Sequence, residues 1–217
     1  MPDGWVARWG APWVAAVICL SPTPSLGLEM TPIQVPLDAF GFQRVERREG
    51  VSVFADDHSK QPRVAGEGVL DASPDRVMAF LLDYESHARR MGRVVESRVL
   101  ERGPDWMLVY QRLSLPVVTD RDYNLLVRWD QQAGVIRITY EAVTGRGLPP
   151  RPGVVRVTLH EGSWQLRNAM DGQTTFARFQ MRMDLGGSVP TLLTRGSTGD
   201  EIPRMFGEMR KALREMN

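Results

Sequence analysis

The chain has 217 residues, of which 42% are hydrophobic and 24% are charged, an ordinary balance for a globular protein with one substantial core. Lysine and arginine total 27 while aspartate and glutamate total 26, which gives a net charge of +1. A protein whose main partner is nucleic acid needs a concentrated basic surface, so this balance argues against such a partner.

The first 30 residues differ in composition from the rest. Arg8 precedes an apolar run at residues 11–20, prolines follow the run, and Ser25-Leu26-Gly27 forms a small-x-small cleavage pattern. These three parts are typical of a secretory signal peptide. The run is also shorter than the roughly 20 apolar residues that a membrane-spanning helix needs. We therefore predict a signal peptide at residues 1–27, cleavage before Leu28, and a periplasmic or secreted product.

Two alternatives fit the same segment. The apolar run would also suit an interfacial anchor that is retained, and Met30 would give a cytoplasmic product if it were the true initiator. The only cysteine, Cys19, lies inside the run, so a cleaved chain has no disulfide and no thiol chemistry. His58, His87 and His160 lack the spacing of metal ligands, and we predict surface or hydrogen-bonded roles for them, with no metal and no cofactor.

After a short segment at residues 28–36, the pattern alternates between strands and a helical insert. Residues 42–49 and 51–55 predict a first hairpin or a bent strand, and residues 63–71 predict the next strand. Ser73 followed by Pro74 is a helix start, with Ser73 as the N-cap. The buried face of that helix is predicted to consist of Val77, Phe80, Leu81 and Tyr84. A second short helix is predicted at residues 85–91.

Closely spaced strands follow, and short turns between them require antiparallel neighbours. The predicted strands are residues 94–102, 106–115, 122–129, 135–143, 153–160, 163–167 and 174–184, with Glu161-Gly162 among the turns. The longest irregular piece is residues 144–152, TGRGLPPRP.

The C-terminal stretch predicts a strand, a Gly-Gly break and a long amphipathic helix. Residues 177–184 alternate apolar and polar, and Ser188-Val189-Pro190 after Gly186-Gly187 indicates the helix start. The apolar face of the helix is predicted to be Ile202, Met205, Phe206, Met209 and Leu213. Two interpretations are open, because such a face is either packed core or, given that methionine is a flexible lining residue, the wall of a cavity.

An antiparallel sheet that grips a C-terminal helix, with two helices inserted after the first strands, is an α+β arrangement of the helix-grip type. The chain resembles the START domains, the lipid-transfer domains related to the steroidogenic acute regulatory protein. The resemblance covers about residues 37–215, within a predicted domain at 37–217. The segments that carry it are residues 66–74 (GEGVLDASP), 82–84 (LDY), 94–97 (VVES), 109–111 (VYQ), 120–123 (DRDY), 153–156 (GVVR), 162–164 (GSW) and 184–190 (DLGGSVP).

The resemblance implies a monomeric carrier that binds one lipid or other hydrophobic molecule in an internal cavity and makes transient membrane contact. The predicted ligand-binding residues are Tyr110, Gln111, Val127, Tyr140, Phe179, Met181, Met183, Met205, Phe206 and Met209. In several lipid-transfer members an acidic residue meets an arginine in the tunnel. Here those positions fall on Gln111 and Val127, with Arg128 on the opposite strand face, so we expect no buried charge pair.

The same resemblance places residues 144–152 as a loop that closes over the C-terminal helix. We expect Arg146, Leu148 and Arg151 to form this gate, because leucine can enter the headgroup region and arginine can meet anionic lipid. An ordinary exposed hairpin loop is the alternative interpretation.

Related helix-grip proteins include polyketide cyclases, so a cavity-based enzyme of the cyclase or aromatase type is the alternative function. Chemistry of that kind needs a nucleophile with a base, or an acid–base pair, inside the cavity. The densest polar group is Asp120-Arg121-Asp122, which a charge network at the start of a strand explains as well. Arg156 and Glu141 are predicted to form a cross-strand pair. We therefore favour a protein without catalytic residues.

The signal-peptide prediction can be tested on the exported protein. N-terminal sequencing should find a mature chain that starts near Leu28, because signal peptidase cuts after the small-x-small pattern. An intact Met1, or a cytosolic product that starts at Met30, would contradict the prediction.

Overall fold

The protein forms an open antiparallel sheet and a long helix that packs across it. The structure, a computed structural model, describes residues 32–56, 63–116, 118–169, 172–186 and 197–216. Within those residues the elements are, in chain order, a 3-10 helix (Leu37–Phe40), β1 (Gln43–Arg48), β2 (Val51–Asp56), β3 (Arg63–Leu70), α1 (Pro74–Leu82), α2 (Tyr84–Arg90), β4 (Val94–Arg102), β5 (Trp106–Leu113), β6 (Arg121–Gln132), β7 (Val135–Ala142), β8 (Val155–Arg156), β9 (Leu159–Asn168), β10 (Thr175–Asp184) and α3 (Ser197–Glu215).

The sheet order follows from two hairpin runs that meet at β3 and β10. The hydrogen-bonded neighbours run β1-β2-β3-β10-β9-β7-β6-β5-β4, and all of these pairs are antiparallel. The helices α1 and α2 are inserted after β3, and α3 ends the chain over β2 and β3. The predicted α+β helix-grip architecture is thereby confirmed.

Successive side chains of a strand point to opposite sides of a sheet, so the register divides the molecule into two faces. We call the side that carries the helices the inner face. Phe179 lies opposite Trp164 on β9 and opposite Gly66 on β3, and the Trp164 ring is 5.7 Å from that of Phe206 on α3. These residues are therefore on the inner face, and their chain neighbours are on the outer face.

Two glycines of β3 allow α3 to lie directly against the sheet. A Cβ atom at Gly66 would be 2.5 Å from Cγ2 of Ile202, and one at Gly68 would be 3.0 Å from the Phe206 ring. Only a residue without a side chain fits there, so the aromatic ring of Phe206 packs on bare strand backbone. Phe206 and Met209 are fully buried as a result.

The outer face of β3 and β10 is covered by the N-terminal part of the described chain. Leu37, Phe42 and Ala65 form a small second core there. Arg178 is 3% exposed, donates to the carbonyl oxygen of Pro32 at 2.7 Å, and pairs with Glu67. The covering segment is thus held by both apolar contact and charge.

One predicted turn is wrong. Residues 153–160 and 163–167 were expected to be two strands joined at Glu161-Gly162, whereas β9 runs without interruption from Leu159 to Asn168. Gly162 is needed because a side chain of the neighbouring strand comes close to it, and not because the chain turns there. A Cβ atom at Gly162 would be 2.3 Å from the hydroxyl oxygen of Tyr140 on the neighbouring strand.

Two smaller differences have local causes. Strand β8 is a two-residue piece that pairs in parallel with β6, because it follows a long loop and not a tight hairpin. Ser73 takes the N-cap position of α1, but its side chain makes no capping hydrogen bond. The predicted helix start at residues 188–190 and the predicted signal peptide lie outside the described residues. Within the described residues, every helix is too short or too polar to cross a membrane.

The contact between β3 and α3 can be tested with glycine substitutions. Gly66→Ala should lower the free energy of unfolding by about 1–3 kcal/mol, because its new methyl group overlaps Ile202. Ile202→Ala in the same chain should recover part of that loss, and urea unfolding of the two single variants and the double variant measures the coupling.

Gly207→Ala is the matched control, since its nearest atom is Glu49 Oε2 at 3.9 Å. In a helix interior this change should stabilise the protein by about 0.5–1 kcal/mol. Equal effects of Gly66→Ala and Gly207→Ala would contradict the proposed close contact.

Candidate functional site

The inner face carries a group of uncharged polar side chains among its apolar ones. Two come from α2 and four from the sheet, and we call them the inner polar cluster: Tyr84, His87, Gln111, Tyr123, Tyr140 and His160. Gln111 lies opposite Tyr123 in the register of β5 and β6, and His160 of β9 lies opposite Met183 of β10. The cluster thus connects α2 with strands that are distant in sequence.

Gln111 is the centre of the hydrogen bonding. Its side-chain nitrogen donates to Ser97 Oγ at 3.0 Å and contacts Nδ1 of His87 at 3.1 Å. Its Oε1 accepts the hydroxyl of Tyr123 at 3.2 Å. In this orientation of the amide its nitrogen is the donor, so Nδ1 of His87 is the acceptor and Nε2 carries the proton. Within the described residues, the buried Nε2 of His87 has no hydrogen-bond partner.

His160 is held by aromatic rings. Its ring centroid lies 4.5 Å from that of Tyr123 and 5.1 Å from that of Tyr140, both in edge-on geometry. The residue is 7% exposed, and its Nδ1 has no hydrogen-bond partner in the described part of the chain. A buried polar atom without a partner costs free energy, so it is a position where a bound molecule gains a hydrogen bond.

Burial keeps the cluster neutral. Removal from water lowers the pKa of His87 to about 4 and that of His160 to about 3. The same desolvation raises the pKa values of Tyr84, Tyr123 and Tyr140, and the neighbouring phenols add to the effect for Tyr123 and Tyr140. At neutral pH the site therefore presents imidazoles, phenols and an amide without net charge.

The apolar residues predicted to line a cavity lie on the same face. Val127, Phe179, Phe206 and Met209 are buried in the main core, while Met181, Met183 and Met205 are partly buried against it. The structure thus brings these residues to one side of the sheet, and a cavity bordered by them stays a prediction. Two open clefts of about 510 and 520 Å³ run along α3 and are lined by other residues, including Glu208 and Lys211.

Tyr110, which was also predicted to bind the ligand, lies on the opposite face of the sheet from the other predicted lining residues. It neighbours Gln111 on β5, so the two side chains must point to opposite faces. The Tyr110 hydroxyl donates to Oδ2 of Asp122 at 3.1 Å, and the guanidinium of Arg151 lies 4.9 Å from its ring. Desolvation, together with Asp122, raises the pKa of Tyr110 to about 12. The prediction that Tyr110 faces the ligand is wrong.

The predicted gate loop also lies on the outer face. Leu148 exchanges two backbone hydrogen bonds with the side chain of Asn124, at 2.9 and 3.0 Å. Arg151 donates to Glu96 at 2.8 Å, and Arg146 pairs with Glu101. These partners are on β4 and β6, away from the side that carries α3. The predicted position over the C-terminal helix is therefore wrong.

The expected absence of a charge at the Gln111 and Val127 positions agrees with the contacts. Val127 is fully buried, while Arg128 is exposed and donates to Glu141 at 3.2 Å. The predicted pair of Arg156 with Glu141 is wrong, because Arg156 donates instead to Oδ1 of Asp122 at 2.7 Å. Asp122 is fully buried on the outer face, so this residue of the DRDY segment anchors the loop.

Sequence reasoning did not assign His87, Tyr123 or His160 to the site. The signal for His160 was available in the alternation of β9, because it has the same parity as Trp164. The erroneous turn at Gly162 separated those two residues. The sequence around His87 contains no pattern that predicts its contact with Gln111.

The buried neutral histidine gives a pH-dependent stability. In the unfolded chain His160 takes up a proton below about pH 6.5, whereas the folded protein does so only near pH 3. The unfolded state therefore binds more protons as the pH falls, and stability is lost. We expect this residue to contribute a slope of about 1.4 kcal/mol per pH unit below pH 6.

His160→Asn should remove that slope, and Tyr110→Phe should leave it unchanged because its hydroxyl does not titrate in this range. Urea unfolding at several values between pH 6.5 and 4.5 measures the difference between wild type and each variant. Parallel curves for wild type and His160→Asn would show that His160 is not buried in its neutral form.

Comparisons with known proteins agree with this architecture. A family model described as polyketide cyclase / dehydrase and lipid transport matches residues 70–210. Among solved structures, a STAR-related lipid transfer protein from Xanthomonas axonopodis is 27% identical, with a TM-score of 0.72 over 80% of this chain and 99% of that one. Among curated proteins, no significant match was found.

Two human proteins share the fold at lower identity. STARD10 is 18% identical with a TM-score of 0.74, covering 88% of this chain and 82% of that one. StAR-related lipid transfer protein 5 is 17% identical with a TM-score of 0.74, covering 81% and 88%. These matches confirm the START-like fold. Because the family model spans most of the sheet and α3, the chain belongs to the polyketide cyclase / dehydrase and lipid transport family.

Proposed function

We propose that the protein carries one hydrophobic molecule, a lipid, between the inner face of the sheet and its helices. The observation that supports this most directly is the composition of that face. Apolar side chains from β5, β6, β7, β9 and β10 cover it, and Met181, Met183 and Met205 are only partly buried against them. Methionine adapts its shape to an irregular apolar partner.

The free energy of burying apolar surface favours a lipid ligand. Burial of apolar surface contributes about 25 cal/mol per Å², so a lipid chain enclosed by this face is bound without many specific contacts. A few polar groups then suffice to orient it. The related Xanthomonas axonopodis protein is named as a lipid transfer protein, which supports the same class of ligand here.

The alternative, an enzyme of the cyclase type, has weaker support in the chemistry of the site. A general base works best when its pKa lies near the working pH. Burial lowers the pKa of His160 to about 3 and raises that of each tyrosine in the inner polar cluster, which moves them all away from neutrality. Such groups donate and accept hydrogen bonds well but exchange protons poorly.

The proposal includes a cellular setting. A lipid carrier has to meet membranes briefly to load and unload, and we propose that this protein does so as a monomer. The signal-peptide pattern at residues 1–27 supports the proposal that the carrier works outside the cytoplasm, in the periplasm or beyond the cell.

The test is native mass spectrometry of protein purified from its own host, followed by extraction of the bound molecule. One defined lipid per chain is expected. Met181→Trp should then reduce the fraction of loaded protein to less than about half, because the indole enters the space of the ligand. The melting temperature should stay within about 4 °C, since Met181 is only partly buried.

Val45→Trp is the control, because Val45 is 58% exposed on β1. It should leave the loaded fraction unchanged. An empty protein that instead converts an aromatic precursor would support the cyclase alternative, and equal loading of Met181→Trp and Val45→Trp would argue against a ligand on the inner face.

A further inference from the structure

The inner polar cluster has more hydrogen-bonding capacity than the protein itself uses. The amide of Gln111 is occupied on both its nitrogen and its oxygen by Ser97, His87 and Tyr123. The Nε2 of His87 and the Nδ1 of His160 are buried and have no partner within the described residues. By hydrogen-bond geometry two nitrogens of one connected cluster are thus available to a bound molecule, although the backbone of Phe80 and Leu81 also lies close to the His87 ring.

The protonation of His87 follows from its neighbour. Because its Nδ1 accepts from the Gln111 amide, Nε2 is a donor. His160 is neutral and edge-on to two phenol rings, so only one of its two nitrogens carries a proton. The cluster therefore offers the N–H donor of His87 and a free nitrogen of His160. The oxygen of a hydroxyl or carbonyl group can form hydrogen bonds with such groups.

The charged groups nearest to the cluster already have partners in the protein. Arg121 lies on the same face as Tyr123 and is buried, and it donates to the carbonyl oxygens of Thr119, Leu185 and Gly186. The buried ion pairs Asp122–Arg156, Glu67–Arg178 and Glu161–Arg182 all lie on the outer face. The charged groups that act on His87 are Asp83 and Arg90, which pair with each other at 2.9 Å. Arg121 is not among the groups that act on His87 or His160, so a carboxylate, phosphate or ammonium group buried at the two histidines would lose its hydration without an opposite charge beside it.

We propose that the inner polar cluster binds an uncharged oxygen function of the ligand, a hydroxyl or carbonyl group, and selects against ionised head groups. This inference rests on the proposed carrier function and narrows its ligand class to neutral lipids, such as long-chain alcohols, sterol-like alcohols or ketones. The apolar body of the molecule extends along the inner face toward Met181 and Met183. The histidines orient the ligand and take no part in a reaction.

A matched series of twelve-carbon probes tests the inference on the full chain. Dodecanol, dodecanoate, dodecylammonium and dodecane share the apolar body and differ only at one end. Their affinities can be measured at pH 7.5 by competition against a fluorescent fatty probe. We expect dodecanol to bind at least about tenfold more tightly than dodecane, since one net hydrogen bond is worth about that factor. Both ionised probes should bind more weakly than dodecane.

Substitutions at the two histidines separate the contribution of hydrogen bonding to ligand affinity from the contribution of side-chain shape. His87→Phe and His160→Phe should each reduce the preference for dodecanol over dodecane about tenfold while leaving the affinity for dodecane unchanged. His87→Gln and His160→Asn should retain the preference for dodecanol. The glutamine amide places a polar atom near the position of His87 Nε2, and the asparagine amide places one near that of His160 Nδ1. Tyr110→Phe, on the outer face, is the matched control and should behave as wild type.

The outcomes are distinct. If all four probes bind equally, or if dodecanoate binds best, the inference is overturned while the carrier function stands. If even dodecane does not bind, both are overturned. If a phenylalanine variant is too unstable to measure, the amide variant of the same histidine decides, because loss of dodecanol preference in a folded His87→Gln protein would contradict the assigned donor.

Discussion

The architecture depends on one contact, the packing of the Phe206 ring on the bare backbone of β3. Gly66 and Gly68 bring α3 so close to the sheet that a single methyl group at Gly66 would overlap Ile202. The helix is fixed over β2 and β3, near one end of the sheet, and its Phe206 ring reaches Trp164 on β9. The inner face of β5, β6 and β7 is thereby left to α1, α2 and whatever the protein binds.

The second constraint is that the ion pairs of β5, β6, β9 and β10 lie on the outer face of the sheet. Strand alternation sends Tyr110, Asp122 and Asn124 outward and sends Gln111, Tyr123 and Leu125 inward. On the outer side, Arg156 donates to Asp122 and to the carbonyl oxygen of Leu148, which fixes the loop at residues 144–152. On the inner side, Gln111 binds Ser97, His87 and Tyr123, while Nε2 of His87 and Nδ1 of His160 have no partner in the described residues.

This separation explains how a polar cluster can lie in an apolar environment. A buried charge needs a partner within a few ångströms, whereas a neutral imidazole or phenol loses far less on leaving water. The protein therefore keeps hydrogen-bonding groups next to apolar side chains at moderate cost. A carrier of neutral lipids needs that combination, because its ligand is mostly hydrocarbon with one polar end.

Residue patterns along the chain by themselves determined the class of the fold and most of its elements. Periodicity identified nearly all the strands, the two inserted helices and the apolar face of α3, because those patterns are local. The sequence also indicated that no charge pair occupies the Gln111 and Val127 positions.

Only the tertiary structure decided which side chains meet. His87 on α2, Gln111 on β5 and His160 on β9 are far apart in sequence, and their contact depends on sheet register and on where α2 lies. The role of Gly162, the direction of Tyr110 and the side on which residues 144–152 lie were decided in the same way. In the sequence alone, Gly162 is typical of a turn. Its role in leaving space for the Tyr140 hydroxyl depends on the pairing of two strands.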